Sequence, residues 1–309
     1  NQVDHPYRAG PFFLCPMNTQ PVRLPNFNLA ELPRALPPRM GAAADGGAYA
    51  RAAEALLRAK RVVVKVGGGA RGAGPELLEF LDLADGFAVT SPLVSGVIPF
   101  DHPRNMTVGG SKGSLSGNYA MDEGDLLVAV GTRFVCQSDS SRTGYPKVRQ
   151  VININADIEA GMHYGNTLSL LGDAALTLAN LNESLRKKGA KGGGASPWFR
   201  ACRAKREEWD AFRRARYERP TLFDPMWGRE VLTQPAAIKA AADWCRENNA
   251  VAFFDAGDVQ ANGFQIVEDD RLGRTFTETG ASYMGFAVSA LLATAITKQP
   301  FYGVAFSGD

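Results

Sequence analysis

The chain has 309 residues, 45% of them hydrophobic and 21% charged, a composition typical of a globular protein with room for about two domains of roughly 100 to 200 residues each. Its 34 basic and 32 acidic residues leave a net charge of +2, so the charge indicates neither nucleic acid nor an anionic membrane as a partner. We expect a small molecule or another subunit instead.

The cysteines and histidines are scattered along the chain. Cys15, Cys136, Cys202 and Cys245 lie far apart without Cys-x-x-Cys spacing, and the three histidines are equally dispersed. This pattern is typical of reduced thiols in the cytoplasm, and it argues against a zinc site. We therefore expect a cytoplasmic protein.

Both ends of the chain have the character of buried strands. Residues 10–17 are an apolar run with hardly any chain before them, and the apolar run 301–306 leads straight into Ser307-Gly308-Asp309. A strand that delivers Gly-Asp at its carboxyl end normally continues into a helix whose amides hold an anion. We therefore expect these residues to be an interior piece of a longer polypeptide, or one half of a nicked one.

The first half of the chain predicts a linker followed by a parallel α/β domain. Residues 19–47 are rich in proline and glycine, which neither a helix nor a central strand tolerates. From Ala48 onwards, helix-like segments alternate with short apolar runs that predict strands at 61–66, 87–89, 126–130 and 151–154. Because these runs are apolar on both faces, we expect a doubly wound parallel sheet covered on both sides, over residues 41–188.

The second half predicts a partial repeat of this theme after a flexible linker at 189–197. Residues 198–219 are predicted as a helix with eight basic and four acidic side chains, which we interpret as a solvated surface rather than an anion-binding face. The next predicted elements are a helix at 235–247, a strand at 250–254, an apolar helix at 282–296 and a last strand. The apolar helix approaches the roughly 20 residues of a membrane span, but its glycine, serine and tyrosine content favours a buried helix of an α/β core.

A glycine motif follows the first predicted strand. Gly67-Gly68-Gly69-Ala70-Arg71-Gly72 has the Gly-x-Gly-x-x-Gly pattern of dinucleotide-binding turns. That fingerprint also needs an acidic residue at the end of the next strand, where this chain has Thr90-Ser91-Pro92. Three interpretations stay open: a tight turn that needs small residues, a nucleotide bound without redox chemistry, and an NAD-dependent oxidoreductase, which the absent acid disfavours.

Three glycine-bearing loops follow strands or open helices in the second half. They contain Asp255-Ala256-Gly257-Asp258-Val259-Gln260, Gly280-Ala281-Ser282-Tyr283-Met284-Gly285 and Gly308-Asp309. The first of these loops alone is explained as a polar cap of the next helix. Together, their spacing places them along one edge of a sheet, where open α/β folds bind ligands. Because glycine permits close approach to phosphate and Asp309 offers a hard oxygen ligand, the loops predict a diphosphate site with Mg²⁺.

The chain resembles the thiamine-diphosphate-dependent enzymes of the acetolactate synthase and decarboxylase superfamily, whose cofactor motif opens with Gly-Asp-Gly. Segments 109–117, 125–134, 152–157 and 171–174 are similar to the family's central domain in the same order. The resemblance implies four regions: residues 1–40 as the C-terminal remnant of a pyrimidine-binding domain with its linker, 41–188 as the central domain, 189–197 as a linker, and 198–309 as the front part of a diphosphate-binding domain.

The resemblance also implies roles for the loop residues. Gly257, Asp258 and Gln260 would contact the diphosphate, Met284 would support the bent V conformation of the cofactor, and Asp309 would bind Mg²⁺, while Ser282, Tyr283 and Gly308 complete the cofactor-binding set. The family's activating glutamate belongs to the preceding domain, so the catalytic residues stay unknown. A cofactor shared between subunits implies a homodimer or homotetramer. Whether the central domain holds FAD or ADP, as in some family members, stays open.

The implied activity is cleavage or transfer at a carbon–carbon bond next to a carbonyl, in a 2-oxo acid or a cyclic 1,2-diketone, by a lyase, hydrolase or transferase. The loops at 255–258 and 279–286 are most similar to the trihydroxycyclohexanedione hydrolases, and Val259 stands where the more usual loop has histidine. Acetolactate synthase-like acyl transfer is one alternative, and an inactive fragment or nucleotide-binding module is another. We expect the isolated chain to be inactive, because part of the cofactor site would be missing.

Overall fold

Six parallel strands form the largest of three sheets in the computed structural model, which describes residues 40–194, 196–280 and 282–308. The strand order is β3-β2-β1-β4-β5-β6. The chain therefore adds strands on one side of β1 up to β3 and on the other side from β4 onwards, which places a switch point between β1 and β4. The strands are β1 (Val62–Val66), β2 (Phe87–Thr90), β3 (Asn105–Val108), β4 (Leu126–Val130), β5 (Gln150–Asn155) and β6 (Thr167–Leu171).

Helices cover both faces of this sheet. They are α1 (Gly46–Arg58), α2 (Gly74–Leu83), α3 (Leu115–Glu123), α4 (Cys136–Asp139), α5 (Ile158–Gly161) and α6 (Ala174–Lys187). On one face, Val64 of β1 packs in a buried cluster with Leu77 of α2 and Leu178 of α6. On the other face, Val63 packs in a second cluster with Met121 of α3. The predicted doubly wound parallel α/β sheet is confirmed.

Two strands of the sheet, β3 and β6, were not predicted from the sequence. Both lie at the sheet edges, and β3 contains the polar residues Asn105 and Thr107. An edge strand has one ladder only and needs less apolar character than a central strand. The central strands β1, β2, β4 and β5 lie within two residues of the predicted bounds.

A buried lysine lies in the central strand of this apolar sheet. Lys65 of β1 is fully buried, and its Nζ has no hydrogen-bond partner among the described residues. Burial disfavours the charged ammonium and lowers the pKa of Lys65 to about 8, against the opposing attraction of the Asp139 carboxylate. Asp139 in turn accepts hydrogen bonds from the Tyr164 hydroxyl (2.7 Å) and the Arg142 amide (3.2 Å).

The second half of the chain forms a smaller parallel sheet of three strands in the order β10-β9-β11 and a separate antiparallel hairpin, β7-β8. Its elements are α7 (Pro197–Tyr217), β7 (Thr221–Asp224), β8 (Arg229–Leu232), α8 (Gln234–Glu247), β9 (Val251–Phe254), α9 (Asp258–Ile266), β10 (Thr275–Thr277), α10 (Phe286–Ala290), α11 (Ala293–Ile296) and β11 (Gly303–Phe306). The predicted α/β repeat is therefore present.

The predicted buried helix at 282–296 is wrong. The structure has two short helices there, α10 and α11, and the side chains of Val288, Leu292 and Ile296 are exposed. Helices gain most of their stability from tertiary packing, and the described residues cover only part of this apolar face. Within the described residues, no helix is both long and apolar enough to cross a membrane.

Helix α7 connects the two sheets, and the interpretation of its basic residues as a solvated surface is wrong for two of them. Arg206 and Arg213 are buried, and their guanidinium groups lie 4.3 and 4.8 Å from the ring centre of Phe100. Arg206 donates to the carbonyls of Asn105 and Phe100 beside the larger sheet, whereas Arg213 donates to the carbonyl of Ile266 at the end of α9. We propose the same domain division at residues 189–197, with α7 holding the two parts together.

Candidate functional site

The carboxyl edge of the smaller sheet brings two of the predicted loops side by side. Strands β9 and β11 are parallel neighbours and end at Phe254 and Phe306. The amide of Asp255 then donates to the carbonyl of Phe306 at 2.9 Å, so the loop after β9 begins directly beside the loop after β11. The sheet geometry therefore juxtaposes Gly257 and Gly308 as the sequence predicted for strand ends of one parallel sheet.

Gly257 forms the turn between β9 and α9. Its φ of +89° and ψ of −150° lie in a region that is essentially restricted to glycine, and a β-carbon built there would meet no atom within 4 Å. No side chain among the described residues caps α9, whose first residue is the exposed Asp258. The first amides of this helix therefore have no side-chain cap among the described residues, and uncapped amides at a helix start are suited to an anion.

Gln260 is buried in the first turn of α9, and its side chain is directed to β10. The side-chain amide nitrogen donates to the Thr277 hydroxyl at 2.7 Å and to the Glu278 carbonyl at 2.8 Å. This nitrogen is therefore used within the protein. The contact with a diphosphate that the resemblance implies for Gln260 stays a prediction.

The loop before α10 has an unusual backbone at both ends. Ser282 has a φ of +55° and Gly285 a φ of +86°. Between them, the amide of Tyr283 donates to a carboxylate oxygen of Glu278 at 3.2 Å, and the side chain of Met284 is 84% exposed. Met284 thus projects from a structured loop and is accessible to a ligand. Gly308 is also exposed, whereas Asp309, the predicted Mg²⁺ ligand, lies outside the described residues.

Asp255 links these loops, although no separate role was predicted for it from the sequence. Its buried carboxylate accepts hydrogen bonds from the amides of Ala256, Gly285 and Phe286 and from the hydroxyl of Ser307. Burial by itself would raise the pKa of Asp255, but these four donors outweigh it and hold the pKa below its ordinary value. A short polar residue directly after a buried strand was the only sequence signal for this role.

A cleft of about 870 Å³ lies between the carboxyl edge of the larger sheet and α9. It runs across the switch point between β1 and β4, where open α/β sheets bind ligands. Side chains of opposite charge line it: Lys112 and Arg133 are basic, and Asp157 and Asp173 are acidic. Gln260 and Phe264 of α9 contribute to the opposite wall, whereas Gly257, Asp258 and Met284 lie outside the lining among the described residues.

The glycine motif after β1 contributes backbone to this cleft. Residues Gly68–Ala70 form one turn of 3₁₀ helix, and α2 begins only at Gly74 with a proline in its first turn. A β-carbon on Gly69 would lie 2.8 Å from the Cα of Gly131, whereas one on Gly68 would be 3.7 Å from Leu93. Gly69 therefore serves close backbone packing, as the tight-turn interpretation holds. Gly68 leaves room on the side of the cleft.

Residues 49–181, which span α1 to most of α6, match the family model described as "Thiamine pyrophosphate enzyme, central domain". These residues therefore form a domain of the thiamine pyrophosphate enzyme central-domain family. The predicted resemblance is thereby confirmed at the level of the superfamily. The matched residues form the six-stranded sheet and its helices, so the cleft lies at the edge of the family's central domain.

Three relatives show the extent of the similarity. The chain is 27% identical over 253 residues to "Probable acetolactate synthase 2, chloroplastic" of Oryza sativa subsp. japonica, covering 81% of this chain and 37% of that protein. It is 26% identical over 292 residues to acetolactate synthase 1 of Nicotiana tabacum, covering 94% of this chain and 40% of that protein. YdaP of Bacillus subtilis, whose name describes it as thiamine pyrophosphate-containing, is 26% identical over 262 residues, covering 83% and 42%. The chain thus spans about two fifths of the length of these relatives.

Proposed function

We propose that this chain supplies the diphosphate-binding part of a thiamine-diphosphate site in an enzyme that cleaves or transfers at a carbon–carbon bond next to a carbonyl. The observation that carries the proposal is the start of α9. There, a positive-φ glycine with open space beside it leads into a helix whose first amides have no side-chain cap among the described residues. Such a helix start favours an anion. The match of residues 49–181 to the central domain of thiamine pyrophosphate enzymes supports thiamine diphosphate as the ligand.

The predicted contacts can be refined from the geometry. Asp258 carries a carboxylate that a diphosphate would repel, so its backbone amide is the group that contacts the diphosphate. Gln260 also contacts the diphosphate through its backbone amide, because its side-chain amide nitrogen donates to Thr277 and Glu278. Gly257 admits the anion by its lack of a side chain, and Met284 offers an exposed thioether to an apolar ring.

Asp309 would hold Mg²⁺ through a carboxylate oxygen, the type of ligand that this ion prefers. When bound, thiamine diphosphate supplies the electron sink for breaking or forming the carbon–carbon bond. The residues of this chain bind and orient it. Its catalytic acid or base is assigned to another part of the polypeptide, and a homodimer or homotetramer would bring the parts together.

Two reaction types fit this site, hydrolytic cleavage of a cyclic 1,2-diketone and acyl transfer between 2-oxo acids. The named relatives include acetolactate synthases, which supports the second type. The loop sequences support the first, since Val259 replaces the usual histidine. Val259 is buried in an apolar cluster with Ile238 and Phe254, so this position offers the diphosphate no side-chain donor.

Calorimetric titration of the natural polypeptide that contains these residues with thiamine diphosphate and Mg²⁺ tests the proposal. We expect saturable binding that requires Mg²⁺ and is lost with thiamine monophosphate, because the second phosphate is the group held at α9. Consumption of pyruvate and opening of a cyclic diketone ring then distinguish the two reaction types. Absence of binding would contradict the proposal and put the inactive fragment or nucleotide-binding module first.

The cleft supports a second candidate function, binding of a nucleotide such as ADP or FAD in the central domain. Its volume of about 870 Å³ lies within the range of pockets for small molecules, roughly 300 to 1,000 Å³. Lys112 and Arg133 would favour phosphate groups, and Asp157 and Asp173 would favour ribose hydroxyls. Gly68 lets a ligand approach the backbone between them.

Equilibrium dialysis against ADP and against FAD tests this second function. We expect one of the two to bind with a dissociation constant that a Gly68→Leu substitution weakens, since the new side chain would enter the cleft. Gly72→Leu is the matched control, because Gly72 has open space around it and lies outside the cleft lining among the described residues. Equal binding by wild type and Gly68→Leu, or no binding of either nucleotide, would contradict the assignment.

A further inference from the structure

We propose that Asp255 is a positioning residue of the cofactor site, and that its carboxylate holds the three candidate loops in one arrangement without binding the cofactor itself. The proposal rests on the proposed function for the identity of the ligand. The contacts of Asp255 are a property of the protein alone. A failure of the positioning proposal can therefore be distinguished from a failure of the proposed function.

The carboxylate of Asp255 joins segments that are far apart in sequence. One oxygen, Oδ1, accepts from the amide of Ala256 at 2.9 Å and from the amide of Phe286 at 3.1 Å. The other, Oδ2, accepts from the amide of Gly285 at 2.9 Å and from the hydroxyl of Ser307 at 3.0 Å. The donors thus come from the loop after β9, the start of α10 and the end of β11.

Each segment that Asp255 holds contains a residue predicted to bind the cofactor. Ala256 directly precedes Gly257, Gly285 directly follows Met284, and Ser307 directly precedes Gly308. A displacement of the Asp255 carboxylate would therefore move all three cofactor loops together. Gly285 has a positive φ, so the chain turns at the bonded amide directly after Met284.

The same contacts leave the carboxylate unavailable to a ligand. Asp255 is only 4% exposed, and its four hydrogen bonds occupy the roughly four lone-pair positions of a carboxylate. A free carboxylate beside a diphosphate would also repel it, whereas this one is surrounded by donors. Asp255 therefore acts on a ligand only through the loops that it holds.

Asp255→Asn is the informative substitution, because it keeps the shape and removes part of the acceptor capacity. The amide retains one acceptor oxygen but turns an NH₂ group towards two of the four donors. Amide hydrogen exchange of the chain without cofactor measures the result directly. We expect the Gly285 and Phe286 amides to exchange about tenfold faster, the equivalent of one lost hydrogen bond. Asp270→Asn, an exposed carboxylate of the same region, should leave their exchange unchanged.

Binding of thiamine diphosphate and Mg²⁺ to the natural polypeptide is the second measurement, made where circular dichroism shows each variant fully folded. We expect Asp255→Asn to weaken the affinity about tenfold and Asp270→Asn to leave it as in wild type. If Asp255→Asn does not fold, Ser307→Ala removes one of the four donors and should weaken the affinity about threefold.

The outcomes separate the two proposals. Wild type that does not bind thiamine diphosphate overturns the proposed function, while faster exchange in Asp255→Asn would still establish the contacts of Asp255. Wild type and Asp255→Asn that bind equally tightly overturn the positioning role, even where exchange is faster, because the carboxylate would then be only structural. Unchanged exchange in Asp255→Asn overturns the role as well.

Discussion

Gly67 and Gly131 pack backbone against backbone, so that a β-carbon on Gly67 would lie 2.6 Å from the carbonyl oxygen of Gly131. The turns after β1 and β4 are joined at this point by hydrogen bonds from the Gly67 amide to the Val130 carbonyl and from the Gly69 amide to the Gly131 carbonyl, both 2.9 Å. The glycine motif therefore closes the gap between the two strands at the switch point of the sheet, and part of its resemblance to a nucleotide fingerprint has a packing cause.

Gly67→Ala should destabilise the protein by about 1 to 3 kcal/mol, because the new methyl group would overlap backbone atoms that cannot move aside. Urea denaturation measures the free energy of unfolding. Gly72→Ala is the matched control, since a β-carbon there meets nothing within 4 Å, and it should change stability by less than about 0.5 kcal/mol. Equal stability of Gly67→Ala and wild type would show that the two turns are farther apart than described.

Lys65→Met should stabilise the protein and remove part of its pH dependence. The folded chain holds the pKa of Lys65 at about 8, below its ordinary value of about 10.4, so between these pH values the unfolded chain binds a proton that the folded chain does not. The stability of wild type therefore rises with pH across this window. Below about pH 8, the cost of burying the charged Lys65 is present in full and lowers the stability of the folded protein by about 3 kcal/mol. This figure already includes the attraction to Asp139, because that attraction contributes to the pKa of about 8.

Urea denaturation at pH 7, 8, 9 and 10 measures this difference. We expect Lys65→Met to be more stable than wild type at pH 7 and the two to converge as the pH rises towards 10. Lys60→Met is the control, because Lys60 is exposed just before the same strand and should behave as wild type at each pH. A difference between Lys65→Met and wild type that does not depend on pH would contradict the explanation by burial.

The fold could largely be predicted from the sequence, because the central strands carry the signal. Buried runs such as residues 126–130 are apolar on both faces and have few alternatives to a strand in a covered parallel sheet. The edge strands could not be predicted in this way, since β3 contains Asn105 and Thr107. Lys65 was also missed as a buried residue, because composition gives no sign that a lysine lies within a covered strand.

The candidate site could be predicted in part. The glycines at 257, 285 and 308 marked the loops, and the strand ends placed them on one edge. What the sequence could not reveal was Asp255, whose partners lie 30 and 52 residues away and are mostly backbone amides without a sequence signature. The apolar stretch around α10 and α11 was misread as one buried helix, because periodicity does not show whether a partner surface is present.

Arg206→Ala should destabilise the protein by about 3 to 5 kcal/mol, because it removes a buried guanidinium and takes a hydrogen-bond donor away from each of its partners. Those partners are the carbonyls of Asn105 and Phe100 and the carboxylate of Asp210, which lies 3.1 Å from Nε. Arg206→Lys keeps the charge but not the planar fork, so it should give an intermediate loss. Arg214→Ala, an exposed residue of the same helix, is the control and should change stability by less than about 0.5 kcal/mol. Equal effects of Arg206→Ala and Arg214→Ala would show that the contacts of Arg206 do not hold α7 to the larger sheet.

Gly257→Ala should weaken binding of thiamine diphosphate far more than it lowers stability. The backbone at Gly257, with φ of +89° and ψ of −150°, costs an alanine about 1 to 3 kcal/mol, which the loop can relieve by changing its path. Such a change would turn the first amides of α9 away from the diphosphate, so the affinity should fall at least tenfold, as on the loss of one charge-assisted hydrogen bond.

Gly165→Ala separates the two effects, because Gly165 also has open space around it but has no positive φ and lies far from α9 in the sequence. Calorimetry with Mg²⁺ present measures the affinity, and thermal unfolding without the cofactor measures the stability. A Gly257→Ala variant that loses stability but binds as tightly as wild type would show that the diphosphate does not lie at the start of α9.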